Sequence, residues 1–285
     1  MSEVKMFGVS SLNKAKTLIQ TDNLGSFINK QYHLQVMMGM VSGVSMLHAL
    51  GERVNIGTTA TGEDIWRGND LSATPSAPAS TTTIPTPASA GEQMTVISED
   101  AQDTFSGTGV QQIELHYLDG EGNEQEETIL MSGTTPVNTI ATDIKFVQDL
   151  HTLTVGSNGV AEGNIRIYKT GTSNLVYNMI AVGGNQSLVP IKMIPTGKTL
   201  YLQEWYCSEA KNKRVAFRIR STDHIGELLE GVFLFKGVTY LNQSSSGLLP
   251  VHTKVPAGSI VKVSGWATVS GGDASCGWWG YLVDD

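Results

Sequence analysis

Carboxylates, histidines and cysteines carry most protein chemistry, and in this chain of 285 residues they are thinly spread. Asp119, Glu121 and Asn123 alternate as the ligands of some calcium loops do, but the EF-hand glycine and distal glutamate are missing. Asp, Gly and Asn are also what a tight turn demands, and the turn is the favoured reading. His33, His48, His116, His151, His224 and His252 stand singly, without HxxxH or HxH spacing or a cysteine partner, and read as surface or core histidines. Glu126-Glu127 and Asp284-Asp285 are adjacent pairs whose side chains leave opposite faces of a strand. Neither forms the facing couple that glycoside cleavage needs, although carboxylates from distant residues could still assemble one. No GxSxG elbow, Walker loop or dinucleotide fingerprint occurs. The expectation is a chain with no catalytic residue, no cofactor and no metal.

Two features carry binding potential instead. In Arg214-Val215-Ala216-Phe217-Arg218-Ile219-Arg220 a strand would place Arg214, Arg218 and Arg220 on one face and Val215, Phe217 and Ile219 on the other. With Lys211 and Lys213 that is a basic stripe, either a solvated outer face or a docking site for an acidic partner. Trp205, Trp266 and Trp278 are candidates for stacking on sugar faces, against the commoner use of indoles in cores and subunit contacts.

These residues sit in a chain divided by composition. Residues 71–90, LSATPSAPASTTTIPTPASA, are almost wholly Ser, Thr, Ala and Pro. Such a stretch joins no sheet ladder and buries no core, and at polyproline spacing it would span on the order of 60 Å. The expected organisation is an N-terminal docking arm (1–70), an extended linker (71–90), a β subdomain (91–182) and a β-sandwich (183–285), divided at Gly183-Gly184-Asn185, although strand spacing continuous across that point equally suits one large double sheet. Within the arm, Met37, Met40, Val41, Val44 and Leu47 fall at helical spacing. They predict one amphipathic helix over residues 34–50, either docking on a partner or packed on its own domain, with Gly39 and Gly43 weakening it by about 1 kcal/mol each.

High Gly and few charges favour short strands and tight turns, so the fold class is mainly β, a sandwich or jelly roll. Residues 111–118 alternate Ile113, Leu115 and Tyr117 with polar neighbours and turn at 119–123 into residues 126–130, which reads as a hairpin. Further strands are expected at 150–155, 164–169, 175–181, 200–205, 215–220, 232–235, 260–266 and 277–282. Ile194-Pro195-Thr196-Gly197 and Val255-Pro256-Ala257-Gly258 echo one another and predict equivalent corners. A formal net charge of −8 argues against nucleic acid and anionic membranes, and no apolar run approaches a membrane span. Cys207 and Cys276 show no disulfide framework, which points to synthesis in a reducing cytoplasm.

Several short passages carry a resemblance: Glu63-Asp64-Ile65-Trp66-Arg67-Gly68, Val155-Gly156-Ser157-Asn158-Gly159-Val160, Gly163-Asn164-Ile165-Arg166-Ile167-Tyr168-Lys169, Asn185-Gln186-Ser187-Leu188-Val189-Pro190 and Lys211-Asn212-Lys213-Arg214-Val215-Ala216. From about Gly62 to Asp285 the chain resembles an uncharacterised family of virion structural proteins of tailed, largely short-tailed, bacteriophages. The resemblance implies a non-enzymatic particle component, oligomeric and expected to be a homotrimer, made in the host cytoplasm and found in the virion. Its partners would be other virion proteins of the capsid, tail or neck. The expected function is a tail-, neck- or fibre-associated part anchored by its arm. The alternatives are a capsid decoration (cement) protein, a carbohydrate-binding module for a host surface glycan, and an enzyme that degrades host surface polymer.

Overall fold

A computed structural model describes residues 32–58, 63–67, 90–173, 176–228 and 232–285. The expected linker at 71–90 lies outside the described residues, apart from Ala90. In chain order the strands are β1 (Val44–Ile56), β2 (Glu63–Asp64), β3 (Met94–Ser98), β4 (Val110–Leu118), β5 (Glu124–Leu130), β6 (Val137–Asn138), β7 (Phe146–Val155), β8 (Ile165–Lys169) and β9 (Val176–Ile180). They continue as β10 (Ile191–Met193), β11 (Lys198–Glu209), β12 (Arg214–Ser221), β13 (Asp223–His224), β14 (Glu227–Leu228), β15 (Leu234–Asn242), β16 (Leu249–Val255), β17 (Ile260–Ala267) and β18 (Gly272–Asp284). The fold is mainly β, as the composition predicts.

Strands β3 to β9 make one pair of sheets, ordered β6-β3-β8-β9 and β5-β4-β7. Alternation sets the inward residues: Ile113, Leu115 and Tyr117 of β4 meet Met94 and Val96 of β3 and Ile165 and Ile167 of β8 in one buried cluster. The hairpin forms as expected, β4 pairing antiparallel with β5. Asp119 organises its turn by accepting hydrogen bonds from the Glu121 and Asn123 amides at 3.0 and 2.9 Å, and Gly122 takes a φ of 89°. Burial pushes the Asp119 carboxyl up, but the hydrogen bonds from Asn123, Gln125 and Glu121 outweigh it and hold it below its ordinary value.

The remaining long strands make a second pair, β1-β18-β11-β16 and β10-β17-β12-β15, with β2 added beside β17. A bulge in β11 between Leu202 and Glu204 shifts the parity. Leu200 and Leu202 before it, and Trp205 and Cys207 after it, therefore enter the same core as Phe217, Val263 and Trp278. The two Pro-Gly corners do correspond. In each the residue after the glycine donates to the proline carbonyl, Lys198 to Pro195 and Ser259 to Pro256, both at 3.3 Å. Gly197 and Gly258 thus sit third in the turn, at φ 70° and 75°, one place earlier than a type I corner would put them. The corners also bond to each other: Ile194 donates to Ser259 and Gly258 donates to Ile194.

Residues 47–285 form one compact unit containing both pairs of sheets. A third buried cluster of Trp66, Leu118, Phe146, Tyr168, Met179, Val189 and Ile191 draws on both. Residues 47–58 and 63–67, assigned by sequence to the arm, therefore belong to the folded body: Ala49, Ile56, Ile65 and Trp66 are fully buried.

The expected helix over 34–50 is cut short. Helix covers residues 32–37, and Gly39 ends it at φ 66°, donating to the Val36 carbonyl while Met40 donates to that of Gln35. That double closure around a left-handed glycine is a stop signal. Gly43 at φ 69° then leads into β1. Met37 and Met40 are exposed, Val41 is half-buried, and Val44 and Leu47 lie in a strand, Leu47 against the second core. The five residues do not share one helical face. No helix among the described residues is long and apolar enough to cross a membrane.

Candidate functional sites: a histidine groove and an arginine-aromatic face

Strand parity puts Gln112, Glu114 and His116 of β4 on the face opposite Ile113, Leu115 and Tyr117. Register then supplies their neighbours, because Glu114 stands across from His151 of β7, and His116 across from Asp149 of β7 and Glu126 of β5. His151 Nε2 lies 2.7 Å and His116 Nε2 3.2 Å from the same Glu114 Oε2. His116 Nδ1 lies 3.5 Å from Glu126 Oε1, and the two imidazoles are tilted by 32° with centroids 4.8 Å apart. Glu114, His116 and His151 are all half-buried.

Two adjoining hollows of about 500 and 530 Å³ share His116 and Asp149 in their walls. Lys192 and Gln148 line one, and His48 and His151 the other. A register shift after His116 pushes Gln148 out of the ladder. Its carbonyl, with Asp149 Oδ2, takes the buried Lys192 ammonium at 2.7 and 2.5 Å. Asp149 is thereby committed to a cation, while His116 lines both hollows and His151 one of them, with the Glu114 carboxylate against both imidazoles. Sequence spacing alone reads the histidines as scattered. The available signal was Glu114-Leu115-His116 on an alternating strand, and its partner His151 lies 35 positions away, joined only by register.

The arginine strand forms as predicted, with Val215, Phe217 and Ile219 buried and the arginines on the other face. That face is not a free basic stripe. Arg218 stacks 3.9 Å from the Trp266 ring centroid and 4.8 Å from that of Phe235; Arg214 lies over Tyr240 and Arg220 over Phe235. Burial, then repulsion from Arg218, pushes the Arg220 guanidinium below its ordinary value, against the attraction of Asp64. The aromatic partners come from β15, where a bulge at Lys236 keeps Phe235, Val238 and Tyr240 on one face, all three exposed. The sugar-stacking candidates separate sharply. Trp205 and Trp278 are 2% and 1% exposed, packed into the second core, and Trp278 donates its indole N–H to the Pro190 carbonyl. Neither can offer a ring face to a glycan. Trp266 is half-buried, with Arg218 against its ring.

No family model matches this chain, and no curated protein matches it. Among solved structures, one of the infectious bursal disease virus Gt strain aligns over 84% of this chain and 71% of that chain, at 9% identity and a TM-score of 0.23. A likeness that slight carries no argument about fold or function.

Proposed function

We propose that this chain is a non-enzymatic structural protein of a bacteriophage particle, tail-, neck- or fibre-associated, held by its N-terminal segment and displaying its β body. The observation that carries the reading is the outer face of β15. Phe235, Val238 and Tyr240 are exposed in a row, with Val232 and Leu248 also exposed nearby in sequence, on a strand at a sheet edge. A row of aromatics with arginines stacked on their rings, on an edge strand, is the composition of a surface that association covers, and a homotrimer is the assembly proposed. The resemblance of residues 62–285 to virion proteins supports the same role. Exposed Met37 and Met40 are the side chains proposed to meet the particle.

Truncation tests the anchoring. Removing residues 1–43, which spares β1, should leave a soluble body with unchanged far-UV circular dichroism that no longer enters particles. Incorporation at the full-length level would refute the anchor. Removing residues 1–70 is a different experiment, because it deletes β1, β2 and Trp66 and is expected to unfold the second core.

A further inference from the structure

We propose that Glu114, His116 and His151 form a binding site for one divalent transition-metal ion of the zinc class, with an open coordination position facing the groove. The inference goes beyond the structural role proposed above and does not rest on it.

Three features of the cluster point to a cation. First, the donors are of the right kind and already converge. One ligand atom from each residue can be chosen so that all lie within 4.8 Å of one another, and both Nε2 atoms approach a single carboxylate oxygen. Around a tetrahedral ion with bonds of about 2.0–2.1 Å, ligand atoms stand about 3.3 Å apart. The 2.7 and 3.2 Å separations from Glu114 must open slightly, and the separation of the two imidazole nitrogens, within 4.8 Å, must close toward the same value, to admit it. Second, His116 carries the outer partner that metal-bound histidines commonly have. With Nε2 turned to the cluster, its Nδ1 lies 3.5 Å from Glu126 Oε1, longer than a hydrogen bond, and a small rotation of that exposed carboxylate would bring it within reach to orient the ring. Third, the scaffold is rigid. Glu114 and His116 are two apart on β4, and His151 is the register partner of Glu114 on β7, so two paired strands hold all three donors.

The neighbouring charges sharpen the assignment. Asp149 is taken by Lys192, which leaves one first-rank carboxylate and two imidazoles. That set suits zinc, nickel, copper(II) or iron(II) over magnesium and calcium, which prefer an all-oxygen shell. Three protein ligands beside a hollow leave a place for water or for a donor from another chain.

The test uses the untagged full-length chain, stripped with chelator, titrated with Zn²⁺ by calorimetry and with Co²⁺ by visible absorption. One equivalent per chain is expected in both, with low-coordinate cobalt bands, and millimolar Mg²⁺ should not compete. His116→Ala, His151→Ala and Glu114→Ala should each weaken binding at least about tenfold. Glu126→Gln should keep the stoichiometry and lose about tenfold in affinity, the size expected for an outer partner. All four side chains leave the outer face of the sheet, so circular dichroism should be unchanged. Absence of saturable binding by the wild-type chain would overturn the proposal and leave a hydrogen-bonded His-Glu-His cluster. Binding that survives both histidine substitutions would overturn it as well. Because the readout is on the free chain, either result leaves the particle role standing or falling on its own tests.

Discussion

Cys207 and Cys276 stand opposite each other across β11 and β18, both free and both buried. Burial pushes each thiol far above its ordinary value, with the neighbouring Cys276 adding to the rise at Cys207. A thiol that does not ionise does not attack, so a disulfide reagent should find no reactive cysteine in the native chain and two after denaturation. Rapid native labelling would contradict this placement. At this scale the sequence conveyed chemistry unevenly. Asp119 was legible as a turn residue because turn chemistry is local. The fates of Trp205, Trp266 and Trp278 were not, because three identical side chains differ only in which way their strands face. The Glu114, His116 and His151 cluster was hidden for a related reason, since pairing register is a long-range property that spacing within one strand does not encode.

Among the elements, β2 is only two residues long yet carries a buried ion pair. Its Asp64 is fully buried against the Lys262 ammonium at 3.0 Å, with Lys262 itself 2% exposed. Burial pushes the Lys262 ammonium below its ordinary value, against the pull of Asp64. Asp64→Ala would strip that buried lysine of its carboxylate and should cost about 3–5 kcal/mol in denaturant unfolding. A loss under about 1 kcal/mol would mean that the pair is far better solvated than its burial implies. Strand parity was readable where apolar and polar residues alternate, as in β4 and β12. The bulges were not: nothing in Leu202-Gln203-Glu204 announces the shift that lets Trp205 follow Leu202 into the core. The helical spacing from Met37 to Leu47 misled because it ran through two glycines whose positive φ turns the chain into β1.

At the scale of the whole molecule, the described residues of 47–285 make a two-sandwich body, and among the large apolar side chains it leaves exposed, Phe235, Val238 and Tyr240 stand in a row on β15. If that row is the contact between copies, sedimentation of the purified chain should report a trimer. Val238→Glu combined with Tyr240→Glu should then give a monomer with unchanged secondary structure, because both side chains point out of the fold. A trimer indifferent to the pair would place the contact elsewhere. Membership in a virion would show in the copy number of this chain per purified particle, from quantitative mass spectrometry against the major shell protein. A count of a few to a few tens, in multiples of three, is predicted for a tail, neck or fibre part. Hundreds of copies would replace that position with capsid decoration, and absence from particles would mean that the chain is not a virion component.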